Sequence, residues 1–229
     1  MILRRVIAHV RDQNWTAIAI DFVIVVMGVF IGIQVSNWND RQAQEQREAV
    51  MLAQIRGSVQ DDLTALHAQL DRFRQAEAAL TDLLAHIEQR APYDSSLDRA
   101  FGLMYGFGYL NLDRAAYESL KSEGIGLISS APLRAEIASL YEKTYGQLEQ
   151  SMALEADVVL FMRPYFIEHF RQLRFTVSAT PIDYQVLLTD PRFLNLIDYR
   201  LQTIRQNQLL HLSAGAEAMS ALLASLDAA

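Results

Sequence analysis

Three patterns of apolar residues follow one another along the chain. From Thr16 to Val35 the run is continuous: 20 residues with one charge, Asp21, and twelve that are Ile, Val or Phe. A helix rising about 1.5 Å per residue crosses a hydrocarbon core of roughly 30 Å in that length. The twelve apolar side chains contribute roughly −5 kcal/mol on an insertion scale, against at most about +3 kcal/mol for an aspartate at mid-membrane. The run therefore predicts a transmembrane helix over residues 16–36. The stretch "RQAQEQREAV" that follows the closing Asn37, Trp38 and Asn39 is rich in helix formers and has neither Gly nor Pro, so it continues the helix out of the membrane. Leu52, Ile55, Val59, Leu63, Leu66, Leu70, Phe73, Leu80, Leu84 and Ile87 then recur at threes, fours and one seven. That spacing is a near-heptad helical seam, able to pair within a bundle or between chains.

Beyond "RAPYDSS", where Pro92 breaks the seam and Ser95 with Asp98 offers a capping box, the helices shorten. A glycine-rich patch, "FGLMYGFGYLN", precedes a helix through "LDRAAYESLKSE" that Gly124 terminates. Ser130 and Pro132 start the next helix, which runs past Met152 until Pro164 kinks or breaks it. Thr180, Pro181 and Asp183, then Asp190 with Pro191, mark two more starts. The last helix carries Leu194, Ile197, Leu201, Ile204, Leu212, Met219 and Leu223. No alternating strand pattern competes, apart from a short extension at "FTVSA". The expected fold is all-α: a short cytoplasmic segment (1–15), a transmembrane helix (16–36) continuing into a long helix, and a helical extracytoplasmic domain (37–229).

At 229 residues, 51% hydrophobic and 21% charged, the chain has room for one membrane segment and one domain with a real core. The absence of cysteine excludes disulfides, thiolate metal sites and cysteine nucleophiles, and leaves the compartment open. The net charge of −7 is uneven, with 17 basic and 25 acidic residues following the apolar run. An acidic body disfavours nucleic acid and anionic lipid surfaces as partners.

The apolar run has internal detail. Trp15 and Trp38 flank it, and with Asn37 and Asn39 they mark the lipid–water boundaries. A cleaved signal peptide would need a shorter core and an A-x-A-like site, and neither is present. Arg4, Arg5, Arg11 and the amino terminus precede the run, against Arg41 and Arg47 after it, which favours a cytoplasmic N-terminus and a domain in the periplasm or at the cell exterior. Helical spacing aligns Asp21, Val25, Gly28 and Gly32 on one stripe, suited to close contact with a second helix. The plainer alternative is a boundary aspartate that reaches water and two glycines that happen to stand four apart.

The segment "VVMGVFIGIQVSNWND" resembles the start of a family of uncharacterised bacterial proteins, catalogued only as a domain of unknown function. Its members pass from a basic segment into a membrane helix with an acidic residue, closed by an I-x-x-N-N-W-N-E-like motif that leads into a long helix. Asp21 matches the acidic position, and Asn37, Trp38 and Asn39 the motif, with Ser36 and Asp40 as departures. The later stretch "AAYESLKSEGIGLISSAPLRAEIASLYE" is similar to the family's second recurring block. The resemblance implies architecture and carries no activity.

Candidate chemistry is sparse. The five histidines, His9, His67, His86, His169 and His211, show no metal-binding spacing, and no G-x-S-x-G elbow, Walker loop or strand-linked dinucleotide fingerprint occurs. Gly106 and Gly108 read as a bend. Two aromatic, arginine-bearing stretches, "MYGFGYLNLDRAAY" and "FMRPYFIEHFRQLRF", offer Tyr105, Tyr109, Tyr117, Arg163, Tyr165 and His169 as a pocket for a small anionic or ring-bearing ligand. More often such residues are ordinary core and rim, with arginine stems over apolar surface. The expectation is a membrane-anchored interaction or scaffold protein whose partners are the lipid bilayer and a second copy or another membrane protein. The alternative is an extracytoplasmic ligand-sensing module working through a partner. No enzyme activity, cofactor or metal is expected.

Overall fold

The computed structural model describes residues 15–106 and 109–228, apart from the side chains of residues 15–19 and Asp21. Helix takes up 83% of the chain, so its class is all-α. Helix α1, Trp15–Glu88, runs for 74 residues. Two compact units meet within it, between Val50 and Met51.

In the first unit every described side chain from Phe22 to Arg47 is exposed. The least exposed of the large apolar ones, Val26, still shows 48% of its surface and the most exposed, Phe22, 68%. Trp38 is likewise exposed.

The second unit is built on the seam. Ile55, Val59, Leu63, Leu66, Leu70, Phe73, Leu80 and Ile87 are buried in a single core that extends to Leu222. The seam thus packs against this chain's own helices. Leu52 and Leu84 lie at its edge, while Met51 and Leu83 take the inward positions, because a 3.6-residue turn drifts against a strict heptad. Asp62 and Gln69 are buried on the same face.

After a 3₁₀ turn at Ser95–Leu97 come α2 (Asp98–Met104), α3 (Ala115–Glu123), α4 (Ala131–Ala138) and α5 (Tyr145–His169). A short α6 (Tyr184–Leu187), α7 (Pro191–Thr203) and α8 (Leu210–Ala228) close the chain. Side-chain oxygens of Asp94, Ser130, Asp183 and Asp190 accept from backbone N–H groups at four of these starts. Such a cap is worth about 1 kcal/mol. Asp94, not Ser95, is the cap after Pro92. Gly124 ends α3 at φ 103°, a conformation that favours glycine. Segments of π-helix, Ser139–Thr144 and Ile204–Leu209, join α4 to α5 and α7 to α8. Helix α5 passes Pro164 and continues to His169. Both Pro164 and Leu160, whose carbonyl loses its amide donor, lie on the exposed face, where water takes the donor's place.

The departure from helix is a hairpin of β1 (Phe170–Arg174) and β2 (Ser178–Pro181), antiparallel, with Phe170 opposite Pro181 and Arg174 opposite Ser178. Most of "FTVSA" is the turn itself. A bulge between Arg171 and Arg174 holds Gln172 at φ 53°, and the turn holds Thr176 at φ 58°. Phe170 anchors the hairpin, with its ring 4.6 Å from Phe166 and 5.1 Å from Phe101. Helix α2 rests directly on the hairpin backbone at Gly102, where a Cβ would stand 2.2 Å from the Ser178 nitrogen. Gly102→Ala is therefore expected to destabilise the domain by about 2–3 kcal/mol, the scale of an overpacked core. Chemical denaturation of the full chain in detergent micelles measures this, and an unchanged midpoint would mean that the hairpin yields freely.

Candidate functional site

A cleft in the second unit gathers side chains from α1, α2, α5, α7 and the hairpin turn. Its inner chamber, about 140 Å³, is lined by the polar groups of Gln69, Arg72, Gln75, Arg99, Glu155 and Arg200, with Phe73 and Leu103 as apolar wall. Its outer chamber, about 370 Å³, is lined by Tyr109, Val159, Arg163 and Phe175. Arg72 and Thr176 belong to both. Helical periodicity explains the lining: Gln69, Arg72, Phe73 and Ala76 share one face of α1, and Glu155, Val159 and Arg163 stand four apart along α5.

At the floor, Arg200 and Glu155 form a bidentate pair, with Nη1 donating to Oε2 and Nη2 to Oε1, both at 2.6 Å, and each side chain 1% exposed. Gln208 in the second π segment donates to Ser151 O at 3.1 Å and to Glu155 Oε2 at 3.4 Å, and accepts from Ser151 Oγ. Arg200 Nε–H remains buried without a hydrogen-bond partner. Nearer the mouth, Arg99 donates to Gln75 Oε1 at 3.1 Å and Arg72 to Gln69 Oε1 at 3.5 Å. Among the described residues neither arginine has a carboxylate within 4.0 Å. The cleft is consequently positive, although the protein as a whole is negative.

The sequence candidates divide among three places. Tyr109 and Arg163 line the outer chamber, and Tyr105 is buried behind it, stacked on Phe166 and Phe175, its hydroxyl accepting from Arg163 Nε at 3.3 Å. Tyr117 lies elsewhere, parallel to Tyr141 at 4.6 Å, with its hydroxyl pushed up to about 12 by burial and by Glu142. In that second cluster Tyr145 donates to Asp62 Oδ2 at 2.6 Å and the Asp113 amide donates to both Asp62 oxygens, while burial raises the Asp62 carboxyl above its usual range. These bonds tie the segment before α3 to α1. Tyr165 and His169 form a third group, their rings 4.2 Å apart, with Tyr165 donating to Asp190 Oδ2 at 2.5 Å. That bond lowers the Asp190 carboxyl below its usual range. In the first unit, Val25, Gly28, Gly32, Asn37, Trp38 and Asn39 are exposed, and a Cβ added at Gly28 or Gly32 would meet nothing within 4 Å. The side chains of Trp15 and Asp21 lie outside the described residues.

Arg72, Arg99, Glu155 and Arg200 escaped the sequence reading. A faint signal existed in Gln69, a polar residue in phase with Leu66 and Phe73. Among the described residues no three His, Asp or Glu side chains gather as a metal site.

A family described as being of unknown function, DUF6090, matches residues 21–158. The chain belongs to this family. No curated protein and no solved structure matches it. The DUF6090 match begins at Asp21 and takes in the α1, α2 and Glu155 contributions to the cleft, while Arg163, the hairpin turn and Arg200 fall beyond it.

Removing one member of a buried ion pair strands the other's charge, at about 3–5 kcal/mol. Glu155→Gln is expected to destabilise the full chain on that scale in chemical denaturation, whereas Glu155→Leu combined with Arg200→Met stays within about 1–2 kcal/mol of the natural protein. Equal losses in both variants would assign the cost to packing instead of charge.

Proposed function

We propose that this protein is a single-pass, membrane-anchored interaction protein. In this reading residues 16–36 cross the inner membrane of a bacterium, the N-terminus is cytoplasmic and the helical domain periplasmic. The anchor assembles laterally with a second copy or with another membrane protein through Asp21, Val25, Gly28 and Gly32. The observation that supports it is the full exposure of an apolar helix. Among the described residues two helices are long and apolar enough to cross a membrane, over Phe22–Glu88 and Pro191–Ala228. The second is partly committed to the core, with 28% of its apolar window buried and Phe193, Ile197, Leu201, Leu212 and Met219 packed inside. The apolar stretch of the first has none buried. Leaving a Val, Ile or Phe side chain in water forgoes about 1.5–3 kcal/mol, which favours a non-aqueous surrounding for this stretch.

Within lipid, contact between helices depends on close packing and hydrogen bonding, which the open positions at Gly28 and Gly32 and the carboxyl of Asp21 supply. In a membrane dimerisation assay on a fragment ending shortly after Asp40, replacing Gly28 and Gly32 by Leu is expected to weaken association. Asp21→Ala is expected to weaken it by about 1 kcal/mol more. Equal association of all three would remove the stripe as an interface.

Orientation has a separate test. A reporter enzyme that works only outside the cytoplasm is expected to be active when fused after Ala229. Activity of a cytosol-specific reporter at the same place would reverse the topology and leave the lateral interface standing.

A further inference from the structure

The cleft combines two chambers of different chemistry. The inner one is lined by the exposed arginines Arg72 and Arg99, which among the described residues have no carboxylate within 4.0 Å, and by a third, Arg200, whose Nε–H is buried and unpaired. An unmet buried donor beside two cations without a carboxylate partner offers a place to an anion, most strongly to one that accepts two parallel N–H groups at once. The outer chamber is walled by the rings of Tyr109 and Phe175 and by Val159, with the planar head of Arg163 alongside. Faces of this kind take a flat, weakly polar body. Inorganic phosphate would answer the inner chamber and leave the outer one unused.

Thr176 stands where the chambers join, a β-branched residue at φ 58°, held there as Arg174 clamps Ser178 Oγ through two donors at 2.8 and 3.0 Å. Strain in a β-branched residue persists only where its surroundings impose it, and such outliers cluster at ligand clamps.

We propose that this cleft binds an organic acid, with its carboxylate in the inner chamber against Arg72 and Arg99 and its aromatic or other flat apolar body in the outer chamber between Tyr109, Phe175 and Arg163. All of its residues belong to the second unit.

The test uses the full chain in lipid nanodiscs with phenylacetate as the probe, followed by saturation-transfer NMR and titration. Saturable binding is expected, with the ring protons receiving saturation. Arg72→Gln and Arg99→Gln, both of exposed side chains, are each expected to weaken it about tenfold, the loss of one charge-assisted contact, without changing the melting curve. Phenylacetamide, the same shape without the charge, is expected not to compete. Equal binding of phenylacetamide overturns the anion site. Equal binding of acetate or inorganic phosphate overturns the role of the outer chamber. Phenylacetate that gives no saturation at millimolar concentration, or binds both arginine variants unchanged, overturns the proposal as a whole.

Discussion

A carboxylate shut away from water must be matched atom by atom, and Glu155 imposes that condition on much of the second unit. Its two oxygens fix the position of Arg200, and Arg200 fixes the rotation of α7 against α5. Gln208 completes the set from within the π segment Ile204–Leu209. Ile204, Gln208 and Leu212 all face inward, and the wider turn lies where Gln208 reaches Glu155. The irregularity in the helix is thus the geometric counterpart of the buried charge.

The same condition shapes the cleft above. Arg200 uses its two terminal nitrogens on Glu155 and is left with Nε, while Arg72 and Arg99 meet only neutral glutamines. A local excess of positive charge within an acidic protein is what remains once the floor has neutralised itself. Gly102 serves the same place from outside, since its missing side chain allows α2 to lie on the hairpin and brings Thr176 to the cleft.

Features decided within one helical turn were legible in the sequence. Ser130, Asp183 and Asp190 cap as their types and spacing require, Gly124 takes the positive φ, and the threes and fours from Ile55 to Ile87 name the buried face of α1. Pro164 was overread, because an exposed proline leaves its orphaned carbonyl to water and does not stop a helix held by core contacts on its other face. The hairpin was half legible: its short strands take their order from Phe166, Phe101 and Gly102, which no local pattern announces. The cleft was least legible. Tyr109 and Arg163 were found through composition, but Tyr117 and Tyr165 share that composition and belong to other clusters. Glu155 and Arg200 are partners across 45 positions, a relation that only tertiary structure reveals.

The order in which the core is completed has a consequence during synthesis. The inward face of α1 from Met51 to Ile87 is among the first parts of the domain to be made, yet the side chains that cover it extend to Leu222, and Arg56 meets its partner only at Asp227. With elongation at about 5–20 residues per second, the last cover arrives roughly 7–27 s after the end of the seam. For that interval a nascent chain presents an apolar stripe that its own later helices cover only in stages. Closure of the domain is therefore a late event in synthesis, complete only when α8 has been made.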